Sequence, residues 1–354
     1  MQKQKPNAMT ITSRQFKSPK GEITHFTLTN SSGASVTLST LGAGIVSIYV
    51  PDNNGALENV VLGYKDAASW IADGPCAGKI PGRFANRIAK GHFSLDGKDY
   101  TLAINNGPNA LHGGPDGFMN RIWDAKTVGQ DSVIFIYVAE DGEEGYPGNL
   151  TITAKYTWSE DNKLTLVLNA ETDIPTVINL TNHVYFNLDG ESSGTVLDHN
   201  LRLNADKYLP TDETQIPTGE LAPVEGTPMD FREFKPIGRD IHADFKPLKI
   251  GKGYDHCWAV NDYEKGTLRE AAVLKAARSG RELTVLTTQP GMQIYTGNWL
   301  EGCPESISGH NYHDYDGVAI ECQNYPDAPN HTDFPSSVLR PGEEYNETII
   351  FIFK

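Results

Sequence analysis

Three ionisable side chains lie in segments where the residue type itself suggests chemistry. Glu321 follows Ala319 and Ile320 on an apolar stretch, and a carboxylate is almost never fully buried unless it is paired. His112 precedes two glycines, which let a ligand approach closely, and His183 lies in the run TNHVYFN. An imidazole with an ordinary pKa of about 6.5 changes its protonation state near neutral pH. These residue types indicate acid–base chemistry.

The other polar candidates lie in short Gly- and Asn-rich segments between predicted strands. With the three residues above, they form the motifs Gly82–Ile88 (GRFANRI), Asn109–Gly114 (NALHGG), Asp141–Gly148 (DGEEGYPG), Asn179–Leu188 (NLTNHVYFNL), Gly253–His256 (GYDH), Gln289–Asn298 (QPGMQIYTGN) and Ala319–Ala328 (AIECQNYPDA). From about Leu41 to the C-terminus, the chain resembles the aldose 1-epimerase (galactose mutarotase) family, with these motifs in the same order.

The resemblance implies both a fold and an activity. The family fold is all-β, a large antiparallel β-sandwich with few short helices. The implied enzyme is an isomerase, a mutarotase that interconverts the α and β anomers of free hexoses such as galactose and glucose. One acid and one base are sufficient for this reaction, so no cofactor and no metal ion are expected.

The resemblance also implies roles for individual residues. Glu321 matches the general base, His183 in its cationic form matches the general acid, and His112 matches a second active-site histidine. The residues that match holders of the sugar hydroxyls are Asn86, Arg87, Asp255 and Gln293. During ring opening the anomeric hydroxyl loses a proton to the base while the ring oxygen gains one from the acid. We expect Trp258 or Tyr325 to cover the C–H face of the sugar.

Structural interpretations compete with several of these roles. Asp255 could cap a turn, and Arg87 could pair with a surface carboxylate. Gln289 competes with Gln293, since composition alone does not choose between the two amides. His256 would point to the opposite face of a strand from Asp255 and is expected to be structural.

One loop has a metal-like composition. The run GHNYHDYDG contains His310, His313, Asp314 and Asp316, but their spacing matches no known ligand pattern. We expect a solvated loop there, with metal binding as the alternative.

Alternating β-branched and aromatic residues predict strands along the whole chain. The clearest are Ser132–Val138, Leu150–Thr157, Lys163–Asn169 and Thr348–Lys354. The last of these should pair inside a sheet, because an exposed apolar edge strand invites aggregation. Asp96-Gly97 predicts a tight hairpin between Phe93–Leu95 and Tyr100–Leu102.

Helical periodicity is scarce, and short helices are predicted at Asp66–Ala72 and Glu270–Arg278. The turn-rich segment Pro210–Pro228 is interpreted as a long surface excursion. No break in composition marks a boundary, so we expect one domain over residues 1–354, with about residues 1–20 as a flexible N-terminal extension.

The formal net charge of −15 limits the partners. An acidic surface repels the phosphates of nucleic acids and anionic lipid head groups, so we expect a small-molecule sugar, no nucleic acid and no membrane. The four cysteines form no CxxC pair, which favours free thiols in a reducing compartment. The first residues lack the apolar core of a signal peptide. We therefore expect a cytoplasmic protein (periplasmic if a signal peptide has been removed) that is a monomer or a weak homodimer.

Three other functions compete. A glycoside hydrolase would use Glu321 and Asp255 as its carboxylate pair and would not require His183. A non-catalytic sugar-binding module would have no use for an acid–base pair. An epimerase of phosphorylated hexoses would need a clamp of Arg or Lys for the phosphate, and the sequence contains no convincing cluster of that kind.

Overall fold

The computed structural model describes residues 8–354 and consists mainly of antiparallel strands. In chain order the strands are β1 Thr10–Ser18, β2 Gly21–Thr29, β3 Ser35–Ser39, β4 Gly44–Pro51, β5 Leu57–Asn59, β6 Arg87–Ile88, β7 His92–Leu95, β8 Lys98–Thr101, β9 Ala110–Leu111, β10 Asp124–Val128, β11 Ser132–Ala139, β12 Leu150–Trp158, β13 Lys163–Thr172, β14 Thr176–Val177, β15 Tyr185–Phe186, β16 Asn200–Leu203, β17 Lys207–Tyr208, β18 Ala222–Pro223, β19 Lys235–Pro236, β20 Asp255–Ala259, β21 Arg269–Lys275, β22 Glu282–Thr287, β23 Gly291–Tyr295, β24 Val318–Gln323, β25 Val338–Leu339 and β26 Tyr345–Phe353. The helices are α1 Ala67–Ile71 and α2 Lys246–Gly251, with short 3-10 helices at Ala89–Gly91, Phe118–Asn120, Glu143–Gly145, Ile237–Arg239 and Ala328–Asn330.

A nine-stranded sheet forms the larger layer, in the order β10-β11-β12-β13-β26-β22-β21-β16-β19. Its long strands β12 and β13 alternate buried with half-buried or exposed side chains, because one face covers the core and the other faces solvent. The four strands predicted from alternation are confirmed as β11, β12, β13 and β26. β26 lies between β13 and β22, so this apolar strand has no free edge.

A six-stranded sheet, in the order β15-β24-β23-β20-β17-β18, forms the second layer. β24 is buried at every position, so both of its faces are covered. Apolar residues of this sheet, of the nine-stranded sheet and of the five-stranded sheet β1-β2-β3-β4-β5 belong to one core cluster. The antiparallel β-sandwich expected from the sequence is therefore confirmed.

The predicted short elements are confirmed in two cases out of three. Asp96 and Gly97 have φ values of 52° and 77° and join β7 to β8 in the predicted hairpin. α1 is confirmed, and Asp66 caps it by accepting a hydrogen bond from the backbone N–H of Ser69. The helix predicted at Glu270–Arg278 is wrong, because most of this segment belongs to β21, which pairs with β16 and β22. Alanines favour a helix by propensity, but pairing on both sides outweighs that preference.

Near the N-terminus, β1 pairs with β2 along its whole length. Residues 10–18 of the expected extension therefore lie in a sheet, while residues 1–7 lie outside the described residues. Among the residues that the structure describes, no helix is long and apolar enough to cross a membrane.

Candidate active site

A cavity of about 490 Å³ at the six-stranded sheet collects most of the predicted site residues. The polar and aromatic members of its wall include Asn86, Arg87, Asn106, His112, His183, Tyr185, Gln215, Asp255, Tyr295, Trp299 and Glu321. Six of the seven predicted residues are in this set. The seventh, Gln293, reaches the cavity only through its hydrogen bond to Asp255.

Adjacent strands of the six-stranded sheet position the carboxyl groups. Gln293 on β23 lies directly opposite Glu321 on β24, and Asp255 on β20 pairs with Tyr295 at the end of β23. Side chains alternate across a strand, so Glu321 lines the cavity while its neighbour Ile320 belongs to the core cluster. The single glutamate on an apolar strand therefore lies at the boundary between core and cavity.

The short antiparallel pair of β6 and β9 brings Asn86, Arg87 and His112 together. The backbone N–H of Asn86 donates to Nδ1 of His112 at 3.0 Å, and the backbone N–H of His112 donates to the Asn86 carbonyl at 3.0 Å. Burial, followed by the nearby His183 and Arg87, holds the pKa of His112 well below its ordinary value, so the ring is neutral. Because Nδ1 accepts a hydrogen bond, the ring proton is on Nε2. His112 is thus a neutral hydrogen-bond donor.

His183 is held through its backbone. Its N–H donates to the carbonyl of Lys79 at 2.9 Å, and its carbonyl accepts from the N–H of Gly78 at 3.0 Å. The ring packs against Tyr185, with centroids 4.9 Å apart, and meets His112 edge-on at 5.2 Å. These contacts preorganise the imidazole before a ligand arrives.

Glu321 and His183 form a buried pair. Nε2 of His183 lies 3.4 Å from Oε1 of Glu321, and the two side chains are 5% and 2% exposed, respectively. Burial raises the pKa of Glu321 well above its usual value, with Asp255 adding to the rise and Arg87 opposing it. Burial also lowers the pKa of His183 to about 4. Burial therefore favours the uncharged forms of both groups, a protonated carboxyl and a neutral imidazole, over the cationic His183 expected from the sequence.

His112, His183 and Glu321 also have the composition of a metal site, since one ligand atom from each lies within 4.8 Å of the others. A metal-bound imidazole must offer a free lone pair. The neutral ring of His112 has one such lone pair, on Nδ1, and it already accepts from Asn86. This donor set suits hydrogen bonding to hydroxyl groups better than it suits metal binding.

Arg87, Gln215 and Asp255 form a polar chain along one side of the cavity. Nη2 of Arg87 donates to Oε1 of Gln215 at 2.9 Å, and Nε of Arg87 donates to Oδ1 of Asn106 at 2.9 Å. Nε2 of Gln215 donates to Oδ2 of Asp255 at 2.7 Å. Neither a turn cap nor a surface ion pair accounts for these contacts, so the structural interpretations of Arg87 and Asp255 do not hold.

The two competing glutamines have different environments. Nε2 of Gln293 donates to Oδ1 of Asp255 at 2.8 Å, so Gln293 supports Asp255 from outside the cavity wall. Gln289 donates to the carbonyl of Leu180 and to the hydroxyl of Tyr345, at 3.1 and 3.0 Å. The structure therefore brings Gln293, and not Gln289, next to the candidate sugar-binding groups.

The prediction of the aromatic face is wrong. Trp258 and His256 lie on one face of β20 and Asp255 lies on the other. Both Trp258 and His256 are buried. For His256 this agrees with the structural role expected from the sequence. Tyr325 belongs to a separate apolar cluster. The aromatic residues of the cavity are instead Tyr185, Tyr295 and Trp299, and Trp299 is 65% exposed.

The loop of metal-like composition is only partly solvated. Asp316 is buried and accepts from the backbone N–H of His313, while its Oδ2 lies 3.2 Å from Nε2 of His310. Asp314 instead forms an ion pair with Lys252 at 2.6 Å. These carboxylates hold the loop in place.

Sequence reasoning missed Asn106, Gln215 and Trp299 as members of the cavity wall. Gln215 lies in the turn-rich excursion 210–228, and Asn106 lies in a turn before the LHGG motif. Residue type alone does not distinguish these amides from ordinary turn residues. Trp299 directly follows the motif that ends at Asn298, and that adjacency was the available signal.

Comparison with known proteins agrees with the family resemblance of the sequence motifs. Residues 24–351 match the family model described as aldose 1-epimerase. The chain is 42% identical over 320 residues to the galactose mutarotase of Sus scrofa, which covers 88% of this chain and 89% of that protein. It is 40% identical over 335 residues to the aldose 1-epimerase of Escherichia coli K12, with coverage of 92% and 94%.

Solved structures of similar proteins have the same fold. An aldose epimerase homologue from C. elegans superposes with a TM-score of 0.84 at 33% identity, covering 91% of this chain and 96% of that one. Galactose 1-epimerase from Lactobacillus acidophilus NCFM gives a TM-score of 0.86 at 29% identity, with coverage of 98% and 99%. The fold and its cavity define a β-sandwich protein with a buried carboxyl–imidazole pair. The chain belongs to the aldose 1-epimerase family.

Proposed function

We propose that this protein is an aldose 1-epimerase, an isomerase that interconverts the α and β anomers of free hexoses such as galactose and glucose. The observation that carries the proposal is the 3.4 Å contact between the Glu321 carboxyl group and the His183 imidazole in a cavity walled by hydroxyl-binding side chains. The relatives named galactose mutarotase and aldose 1-epimerase support the same reaction class.

The resting pair carries the proton that the reaction requires. Transfer of the carboxyl proton to His183 makes Glu321 a base and His183 an acid, without changing the net charge of the site. Glu321 then takes the proton of the anomeric hydroxyl, and His183 gives its proton to the ring oxygen, which opens the ring. The carboxyl group is again protonated and the imidazole neutral. Rotation about the C1–C2 bond then turns the aldehyde group over, and reversal of both proton transfers closes the ring as the other anomer. The mechanism therefore needs no cofactor.

The remaining side chains would bind and orient the sugar. Sugar hydroxyls both donate and accept hydrogen bonds, so a wall with a donor such as Arg87 and an acceptor such as Asp255 matches them. His112 supplies a neutral N–H beside His183, suited to an oxygen close to the reacting centre. Asn86 adds an amide to this wall, and Gln293 acts through Asp255.

The competing functions match the cavity less well. A glycoside hydrolase needs a second carboxylate free to act as base or nucleophile, but Asp255 accepts bonds from two glutamines and faces Arg87. A binding module has no use for the pair of Glu321 and His183. An epimerase of phosphorylated hexoses needs a cationic clamp, and Arg87 is the one Arg or Lys in the described cavity wall.

We further propose a single domain, a cytoplasmic location and a monomeric or weakly dimeric state. All four cysteines are free and three of them are buried, which suits a reducing compartment. Cell fractionation and light scattering over a range of protein concentrations would test the location and the oligomeric state.

Polarimetry of freshly dissolved α-D-galactose and α-D-glucose tests the proposed activity. The wild-type protein should speed the approach to equilibrium rotation, and Glu321→Gln should lower kcat by about 100- to 10,000-fold, the usual contribution of general acid–base catalysis. Glu347→Gln is the matched control, because Glu347 is also buried but lies on β26, outside the cavity wall. Unchanged spontaneous rates with the wild-type protein would refute the proposal.

His183→Ala separates the mutarotase from the hydrolase. The change should abolish anomerisation, because no acid would remain for the ring oxygen. Hydrolysis of an aryl galactoside that survived in His183→Ala would instead favour a glycoside hydrolase that uses Glu321 and Asp255.

A further inference from the structure

We propose that Gln215 is a specificity-determining residue, whose carboxamide keeps Arg87 and Asp255 apart and binds one hydroxyl group of the sugar. The inference rests on the proposed function, since it concerns the same cavity. Gln215 lies outside the seven sequence motifs, in the excursion 210–228, yet the fold places it in the cavity wall.

The orientation of the Gln215 carboxamide is determined by its two partners. Oε1 accepts from Nη2 of Arg87 at 2.9 Å, and Nε2 donates to Oδ2 of Asp255 at 2.7 Å. A guanidinium group only donates hydrogen bonds, and a carboxylate only accepts them. The reversed amide would face donor with donor and acceptor with acceptor, so one orientation is strongly preferred.

Gln215 also sets the spacing of the two charged groups. Nη2 of Arg87 lies 3.9 Å from Oδ2 of Asp255, too far for a direct hydrogen bond. Guanidinium and carboxylate groups pair readily, often with two parallel bonds, when they can meet. Without Gln215 we expect Arg87 and Asp255 to close on each other and to use up the donors and acceptors that a sugar would otherwise find.

The carboxamide keeps hydrogen-bonding capacity for a ligand. A primary amide has two N–H donors and two oxygen lone pairs, and the bonds to Arg87 and Asp255 use one of each. One donor and one acceptor remain on a side chain that lines the cavity. A hydroxyl group, which both donates and accepts, is the matching partner.

The backbone of Gln215 is held in an uncommon conformation. Its φ of 67° lies in the left-handed region, which residues other than glycine seldom adopt outside turns and functional sites. Oδ1 of Asp212 accepts from the N–H groups of Thr214 and Ile216 and so anchors the turn. Asn109, on the segment that leads into β9, holds the same turn by donating from Nδ2 to Thr214. The fold therefore maintains this conformation at the one point where the excursion meets the cavity wall.

Gln215→Gly tests the role of the side chain without straining the backbone, because glycine adopts positive φ freely. The KM for galactose should rise about 10- to 100-fold, as expected when polar partners are left unpaired. The kcat should stay within about threefold, since Glu321 and His183 are unchanged. Gln215→Met keeps the length of the side chain but neither hydrogen bond, and it should raise KM to a similar extent.

Asp262→Gly is the matched control for the change of backbone. Asp262 also has a positive φ, 54°, but it is exposed and lies outside the cavity wall. This variant should leave both KM and kcat unchanged. Thermal unfolding of all three variants, measured beside wild type, shows whether a change in KM follows a loss of stability.

Monodeoxy galactoses test the contact with the sugar itself. Each analogue lacks a single hydroxyl group other than the anomeric one. If Gln215 binds one hydroxyl, the KM ratio of Gln215→Gly to wild type should be clearly smaller for the analogue that lacks it than for the others, because only the effect of the lost spacing between Arg87 and Asp255 then remains.

Three results would overturn the inference. The first is an unchanged KM in Gln215→Gly, and the second is a kcat that falls together with the unfolding temperature, as for a purely structural residue. The third is an equal rise in KM for every deoxy sugar, which would show that Gln215 does not bind one particular hydroxyl group. A failure of the proposed function is distinct, because the wild-type protein itself would then not accelerate anomerisation.

Discussion

The two large sheets use the same strand geometry for different purposes. In the nine-stranded sheet, β13 buries Leu164, Leu166 and Leu168 and leaves Thr165 and Asn169 half-buried on the other face. In the six-stranded sheet, β24 buries all of its residues, including Glu321 and Gln323. The first sheet has the core on one face and solvent on the other, whereas the second has the core on one face and the cavity on the other.

Because of this difference, the nine-stranded sheet contributes mainly to stability, and the six-stranded sheet positions the ionisable groups of the cavity. Buried apolar side chains contribute favourable transfer free energy, while a buried ionisable group loses hydration and is destabilising unless it is paired. The nine-stranded sheet contributes the first kind of residue to the core. The six-stranded sheet accepts the second kind, and the burial that destabilises the charged forms of Glu321 and His183 also shifts their pKa values toward the uncharged pair.

The pH dependence of kcat/KM tests that shift and should show the largest effect. Below about pH 4, His183 is protonated as well as Glu321, so the pair has no base. Above the raised pKa of Glu321, the pair has lost its proton and no acid remains. After subtraction of the spontaneous rate, activity should fall about tenfold per pH unit beyond each limit. An acid limb near 6.5, the pKa of an ordinary imidazole, would contradict the assignment of a neutral, buried His183.

Leu166→Ala tests the other sheet. Leu166 is completely buried on β13, so the change should lower the free energy of unfolding by about 2–5 kcal/mol through lost contacts and a cavity. The KM and kcat of the folded protein should remain those of wild type. Thr165→Ser, a smaller change at the adjacent half-buried position, is the control. A large rise in KM for Leu166→Ala would show that the two sheets are not separate in function.

The two glutamines of a single motif have different environments, since Gln293 lies on β23 and Gln289 in the connection between β22 and β23. Gln293→Met should raise KM about tenfold, because Asp255 loses a hydrogen-bond donor. Gln289→Met should leave KM unchanged but lower stability by about 1–3 kcal/mol, because the buried carbonyl of Leu180 and the hydroxyl of Tyr345 each lose one hydrogen-bond donor. Sugar kinetics and urea unfolding of both variants would check this, and an exchange of the two effects would refute it.

Glu321→Gln should change stability in the opposite direction to the two preceding stability predictions. The pKa of Glu321 is raised by burial, so above about 4.5 the unfolded chain releases a proton that the folded chain still holds. Wild-type stability therefore falls as pH rises from there to the folded pKa. Relative to wild type, the variant should therefore gain stability as pH rises through this window. A difference in unfolding free energy that did not change with pH would contradict the raised pKa.

Much of the fold was predictable because the nine-stranded sheet is amphipathic. β12 and β13 alternate apolar and polar residues, and this alternation is visible without any partner strand. β21 was mistaken for a helix because four successive buried positions, Ala271–Leu274, hide the alternation. Such a run has no preferred period until its neighbours β16 and β22 are known.

The candidate site was predictable to the extent that its residues lie in motifs. Glu321, His183 and His112 were each conspicuous as an ionisable group in an apolar or glycine-rich segment, and they meet in one cavity. The aromatic prediction failed because the face of a strand on which a side chain lies depends on its register. Trp258 follows Asp255 by an odd number of residues and so points into the core.

The amino-acid sequence by itself determined the strand-rich architecture, the acid–base residue types and the family, since these follow from local periodicity and from the order of short motifs. Only the tertiary structure decided that burial favours the uncharged forms of Glu321 and His183, that His112 is a neutral donor and that Gln215 stands between Arg87 and Asp255. The physical reason is that protonation depends on burial and on hydrogen-bond partners. Those partners come from segments far apart in the chain, which become neighbours when the sheets assemble.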